Sequence, residues 1–260
     1  MAIIPEVPVK YRLRVGTYNI RAGADVDRDV SVIAEDIRAL DLDIVGLQEV
    51  DVCTKRSNLT DQLQTIAELA GYPYYRFTFC IDYQDGEYGT AILSKHPILE
   101  YKTVKLYSEG VEERAIGCAV VEVNDEQIHY FNTHLSIEDS FIRSLQFAQI
   151  AGILADFKKL SESNDYIVTG DFNTEHMLEF RIFPDRALVN HGEMKTFPAT
   201  NQAIDNIIVS PHWQIEEYGM VETGHSDHHM LYAVLAKREY IPVIQPRRQS
   251  KEEILFGRKL

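Results

Sequence analysis

Apolar positions along this chain fall into short runs of strand length, and three stretches space them as a helix does. Leu13 to Ile20, LRVGTYNI, reads as a strand, and the acidic loop after it leads to Val30, Ile33, Ala34, Ile37 and Leu40 on one helical face. Ile44 to Val50, IVGLQEV, is again strand-like. Asp61 to Ala70 is again helical and is closed by Gly71 and Pro73. From Tyr74 to His134 the period shortens: YYRFTF, YGTAILS, ILEYKTVKLY, AIGCAVVEV and QIHYFNTHL, separated by turn residues, predict an antiparallel meander. Residues 138–160 carry Ile142, Leu145, Phe147, Ala148, Ile150, Ile153, Leu154 and Phe157 as the apolar face of a long helix. The run Tyr166, Ile167, Val168 then enters GDFN, and IDNIIVS and HMLYAVLAK supply two more strands. Each sheet needs its apolar face covered, so this order predicts an α+β body. The expected arrangement is a four-layer α/β/β/α sandwich of two packed mixed, mainly antiparallel sheets with outer helices.

A chain of 260 residues with 45% hydrophobic content is long enough for one large core, and nothing in it reads as a repeat, a low-complexity tract or an interdomain linker. Residues 1–236 are expected to form one catalytic domain. Residues 237–260 differ: seven Lys or Arg against three Glu give a basic C-terminal tail of net +4 on a body of −18. A charge run of this kind is most simply solvated surface resting on the acidic body. The overall charge of −14 repels polyanions, so a nucleic-acid partner is not indicated by charge. Cys53, Cys80 and Cys118 are odd in number and far apart, and are read as reduced core thiols rather than disulfides or a zinc site. MAIIPEVPVK lacks a cationic segment followed by an apolar one, and no run approaches the ~18 apolar residues of a membrane span. The expectation is a cytoplasmic protein with no membrane partner. The oligomeric state is left open.

Polar residues gather where strands end: Asn19 in TYNIR, Glu49 in LQEV, His134 in NTHL, Asp171 and Asn173 in GDFN, Asp205 in AIDNI, and Asp227 with His228 in HSDHH. In extended chain the side chains of Asp171 and Asn173 point the same way while Phe172 turns back toward the core. Each residue alone has a plain structural reading. Asp205 could cap a loop, His134 could be a satisfied strand-end histidine, Arg56 could pair with Asp51 or Asp61, and Arg114 with Glu112 or Glu113. Together they form an oxygen-rich set that suits a hard cation such as Mg²⁺ or Mn²⁺ better than structural zinc.

TYNIR, LQEVD, the arginine of ERAIG, NTHLS, GDFN, IDNII and SDHH, in that order over residues 13–236, resemble the endonuclease/exonuclease/phosphatase family. QEVDVCTKRSNLTDQ further resembles its small bacterial metal-dependent hydrolases. The resemblance implies a Mg²⁺- or Mn²⁺-dependent hydrolase of phosphate esters, most of all phosphodiesters. It makes Glu49 the principal metal ligand with Asn19 and Asp227 beside it. Asp171 would orient or deprotonate water, Asn173 would hold the scissile phosphate, and His228, oriented by Asp205, would donate a proton or hydrogen bond. His134, Arg114 and Arg56 would contact phosphate, and Glu87 matches a carboxylate that pairs with that histidine in the deoxyribonuclease branch. Asn206 departs from the family's usual Tyr, His or Arg. The string Asp227, His228, His229 also echoes DHH phosphoesterases, but their upstream paired-aspartate motifs are absent, and His225, Asp227 and His228 echo a binuclear zinc motif whose second histidine cluster is absent. A nuclease and a catalytically inactive binding module with the same fold are the alternatives.

Overall fold

The computed structural model describes residues 8–160, 165–183 and 186–239, with the side chains of residues 158–160 excluded. Most of the basic tail, residues 240–260, lies outside them. The strands are β1 (Val9–Asn19), β2 (Ile44–Val52), β3 (Tyr74–Tyr83), β4 (Gly86–Ser94), β5 (Ile98–Lys105), β6 (Ala115–Val123), β7 (Glu126–His134), β8 (Tyr166–Asp171), β9 (Ala187–Leu188), β10 (Asp205–Val209), β11 (Trp213–Val221) and β12 (Met230–Arg238). The helices are α1 (Ser31–Leu40), α2 (Gln62–Ala70) and α3 (Ser140–Leu160). One six-stranded sheet runs β11-β12-β1-β2-β4-β3 and the other β5-β6-β7-β8-β10-β9. Within each, one central pair is parallel, β1 with β2 and β7 with β8, and the rest are antiparallel.

Strand alternation produces the layers. Leu13, Val15 and Ile44 of the first sheet meet Val121, Tyr130, Ile167 and Ile207 of the second between the sheets. The opposite parity, Tyr18, Val45, Leu47 and Leu93, is covered by Ile33 and Ile37 of α1 and Leu63 and Ile66 of α2. Phe131, Val168 and Ile208 are covered by Phe147, Ile150 and Leu154 of α3. This is the four-layer sandwich that the pattern predicts. Helix boundaries follow local chemistry. Asp61 caps α2 by accepting from Gln64 N, Gly71 ends it at φ 82°, and Asp139 caps α3 through Phe141 N and Ile142 N.

Three expectations need correction. The stretch from Tyr74 to His134 is not one meander: β3 and β4 complete the first sheet while β5, β6 and β7 build the second. Beyond its first residues β4 is buried on both faces, which places it inside a sheet, whereas β5 exposes much of its length and forms an edge. The nine-residue β11, WQIEEYGMV, is an additional edge strand whose period is hidden by the consecutive exposed Glu216, Glu217 and Tyr218 and by a register shift between Ile215 and Glu217. Cys53 is exposed, at φ 55° just past β2, so only Cys80 and Cys118 are core thiols. Burial pushes those two thiols up to about 11 and about 12. Lys237 and Arg238 of the basic segment belong to β12. No helix among the described residues is long and apolar enough to cross a membrane.

Candidate active site

The inward-facing parity that supplies Leu13 and Val15 continues through Thr17 to Asn19, and that of Ile167 through Thr169 to Asp171. At this end of the sandwich the filling between the sheets turns polar. Gln48 Nε2 donates to Thr17 Oγ1 (2.9 Å) and Asn132 Oδ1 (2.7 Å), and Thr169 Oγ1 donates to Asn132 Oδ1 (3.1 Å). A Cβ on Gly46 would lie 2.3 Å from both Asn132 Oδ1 and Thr169 Oγ1, so this floor requires glycine. The carboxyl ends of all four parallel strands open above it, delivering Asn19, Glu49, His134 and Asp171.

Antiparallel strands begin where parallel ones stop, which brings in the remaining groups. Asp205, first residue of β10, pairs with Asp171 across the ladder. The loop before β12 returns to the end of β1, where Ser226 Oγ donates to Asn19 O (2.7 Å) and sets His228 in place. Glu49 is aimed by a break in register between β2 and β4 and sits at φ 55°, an uncommon conformation for glutamate that re-directs its side chain out of the ladder.

Asp171 lies at the centre, 1% exposed. Its Oδ2 accepts from Asn19 Nδ2 (3.0 Å) and its Oδ1 from Asn173 N (2.9 Å), with His134 Nε2 at 3.5 Å and His228 Nε2 at 3.6 Å from Oδ2. Burial and then Asp205 raise its carboxyl to about 7, opposed by His228. Asn19 Nδ2 also donates to Glu49 Oε1 (3.0 Å), so a single amide ties the two carboxylates. His228 Nδ1 donates to Asp205 Oδ2 at 2.8 Å, and Phe197 packs on the imidazole with ring centroids 4.9 Å apart. Burial alone would lower the His228 pKa. Asp205 and Asp171 override it and lift the pKa to about 10, so the ring is an imidazolium at neutral pH. His134 is the opposite case: burial first, then Arg114 and His228, hold it well below its ordinary value. It is therefore neutral. Arg114 Nη1 donates to its Nδ1 (3.2 Å), which leaves the proton on Nε2 facing Asp171.

The structure brings together Asn19, Glu49, His134, Asp171, Asn173, Asp205, His228 and Arg114, and it sets other expected residues apart. Asn173 joins the site through its backbone N, while its side-chain Nδ2, expected on phosphate, turns to Leu135 O (2.8 Å) at φ 51°. Asp227 forms an ion pair with Arg21 (3.2 Å). Arg56 is bound bidentately by the buried Asp51 (2.7 and 2.8 Å) and lies over Tyr83, 4.4 Å from the ring centroid. Glu87 does not reach His134. It sits exposed at the tip of the β3–β4 hairpin, and alternation sends its neighbour Tyr88 inward while Glu87 faces solvent. Two contributors were not singled out as site residues: Ser226, although it is the serine of SDHH, and Phe197, which has no motif signal.

The carboxylates of the site suit a divalent cation, although His228 as an imidazolium offers it no lone pair. Asp171, Asp205 and His228 each offer an atom within 4.8 Å of the others, and Asp205 Oδ1 is buried without a hydrogen-bond partner. Glu49 faces no Lys, Arg or His within ion-pair distance among the described residues. An oxygen-rich pocket with one unneutralised carboxylate is the chemistry of a hard-cation site.

Asp205→Asn tests the electrostatics directly. Without that carboxylate, burial pulls the His228 pKa down, so the alkaline limb of kcat/KM should move at least ~1 unit lower than in the parent protein. Superimposed pH profiles between pH 6 and 10 would show that the pair does not control the charge of His228.

Two buried histidines thus flank one buried carboxylate at the joined ends of two sheets, an arrangement suited to acid–base chemistry. Residues 16–228 match the Endonuclease/Exonuclease/phosphatase family, and the chain belongs to it. Its members are phosphoester hydrolases. The Uncharacterized protein YbhP of Escherichia coli K12 is 25% identical over 215 residues, covering 75% of this chain and 83% of that protein. Among solved structures, an endonuclease/exonuclease/phosphatase from Beutenbergia cavernae superposes with a TM-score of 0.72 at 20% identity, covering 88% of this chain and 72% of that one. The mannosyl-6-phosphatase of Bacteroides thetaiotaomicron superposes with a TM-score of 0.68 at 20% identity, covering 86% and 99%.

Proposed function

We propose that the protein is a Mg²⁺- or Mn²⁺-dependent phosphodiesterase that activates water at Asp171. The observation that carries this reading is the position of Asp171 between a neutral histidine and an imidazolium, 3.5 and 3.6 Å away, with its pKa near 7. A buried carboxyl of that pKa can accept a proton from water near neutral pH. Asn19 and Asn173 N fix its orientation, so the acceptor lone pair is presented in one direction. His228, already protonated and held by Asp205, donates to a phosphoryl oxygen as charge develops on it. The neutral His134 and the Arg114 guanidinium bind phosphate from the other side, and the guanidinium supplies charge without a proton to lose. Glu49 would hold the cation with Asn19 beside it, and Asp227 would join them only by leaving its ion pair with Arg21. The tight Asp171–Asp205–His228 cluster already contains its own cation in His228, which favours Glu49 as the metal's anchor. When bound, the metal supplies positive charge for the phosphoryl oxygens.

Arg56 serves in this reading as a buttress under Tyr83 rather than as a phosphate ligand, since Asp51 occupies its fork. The acidic charge of −14 favours small phosphate esters over polynucleotides.

Turnover of bis-p-nitrophenyl phosphate, p-nitrophenyl phosphate, DNA and RNA with Mg²⁺, Mn²⁺ or chelator tests the proposal. Diester hydrolysis should vanish in chelator and return with Mn²⁺. Glu49→Gln should raise the metal concentration for half-maximal rate at least ~10-fold. Turnover that persists in chelator would remove the metal from the scheme, and preference for DNA or RNA at low salt would make the enzyme a nuclease.

A further inference from the structure

The segment joining β5 to β6 carries a carboxylate where a phosphate-binding site would be expected to avoid one. Glu112 Oε1 lies 2.7 Å from Arg114 Nη1, the guanidinium nitrogen that also donates to His134 Nδ1. We propose that Glu112 is a specificity-determining residue that favours singly charged phosphodiesters over doubly charged phosphomonoesters by occupying Arg114 in place of a second substrate charge. The proposal rests on Arg114 binding phosphate.

The position of Glu112 is fixed. Tyr107 N donates to Gln149 Oε1 and Gln146 Nε2 to Tyr107 O, each at 2.9 Å, which pins the segment to α3. Leu106 N donates to Arg114 O (2.8 Å) and Arg114 N to Ser108 Oγ (3.0 Å), closing it against itself. The Glu112 side chain is about one-third exposed, at 35%, and the Arg114 side chain is buried, at 5%, so the carboxylate forms the outer wall over the cation.

The pair is an ion pair without a well-directed hydrogen bond, because Glu112 Oε1 is buried and has no hydrogen-bond partner. Arg114 Nε is likewise buried and unpartnered. The carboxylate thus offsets part of the guanidinium's charge without accepting a well-directed hydrogen bond from it. Surrounding groups sharpen the effect. Glu138 and Glu49 add to the negative potential at Glu112, opposed by Arg114 and Arg56. Of those two cations Arg56 is already engaged by Asp51. A ligand at Arg114 therefore meets a net acidic rim, and each additional negative charge on the ligand meets it again. A bound metal attracts both ester types, and the fixed carboxylate discriminates between their charges. Repulsion between unit charges several ångströms apart at a half-exposed protein site is enough for about tenfold discrimination.

The experiment compares the parent protein with Glu112→Gln, loaded with Mn²⁺ at pH 8, on p-nitrophenyl phosphate, a dianion, and bis-p-nitrophenyl phosphate, a monoanion. The variant should raise the monoester-to-diester ratio of kcat/KM about tenfold, mainly through a lower monoester KM, and should tighten inhibition by inorganic phosphate. Glu112→Asp, which keeps the charge, should stay closer to the parent ratio. A purely structural role for Glu112 predicts weaker phosphate binding, the opposite sign. A ratio unchanged within twofold, or weaker phosphate inhibition, overturns the proposal. If the parent hydrolyses neither ester, the phosphodiesterase reading fails. The role of Glu112 is then decided by calorimetric titration with inorganic phosphate: tighter binding to Glu112→Gln supports it and equal binding rejects it.

Discussion

Asp171→Asn should lower kcat by about 10³-fold, within the range for loss of a positioned general base, while leaving the fold intact. The carboxyl is buried, repelled by Asp205 and raised to about 7, so ionising it costs native stability, progressively as pH rises from the ordinary carboxylate range and in full above about pH 7. A neutral isostere removes that penalty. It also faces a conflict, because Asn19 Nδ2 and Asn173 N both donate to the two oxygens and an amide has only one acceptor. These effects oppose each other, and the melting temperature should stay within a few degrees of the parent's. Full activity in a folded, metal-loaded variant would remove Asp171 from the chemistry and leave it a structural carboxylate.

Phe172→Ala should produce the largest loss of stability, about 3–5 kcal/mol, or a melting temperature lower by roughly 6–15 °C in a domain of this size. Phe172 is fully buried against Phe147 and Phe180, with ring centroids 5.8 and 5.2 Å apart. That cluster joins α3 to the end of β8 and to the turn at residues 179–182. The ring lies between Asp171 and Asn173 in sequence, and its truncation unfastens both. Activity at 25 °C should fall along with stability. A shift under ~3 °C in thermal unfolding would mean that the cluster closes over the cavity.

The layers were legible because β1, β2, β8 and β10 contain apolar runs buried on both faces, and because α1, α2 and α3 each carry one apolar face. Strand β11 was not: Glu216, Glu217 and Tyr218 point outward along an exposed edge, where no alternation is enforced. The split of the central β-rich stretch depends on which strand each face meets, a tertiary fact that local period does not encode. In the site, Asn19, Glu49, His134, Asp171, Asp205 and His228 converge because strand ends put them there, and strand ends are visible in sequence. The opposite charge states of the two histidines are not, since they depend on who stands beside each ring. Glu87 shows the limit of carrying a position over from a motif: one step of alternation turns it to solvent, and Arg114 takes its place beside His134.

The four parallel strands form two strand–helix–strand units, one in each sheet, and both open toward the same end of the molecule. Neither half owns a working set: Asn19 and Glu49 come from one, His134, Asp171 and Asp205 from the other, and His228 from the chain's return to the first. Each sheet by itself is a catalytic fragment with nothing to catalyse. During folding, enzymatic competence requires the docking of the two halves, so regained turnover reports that long-range contact.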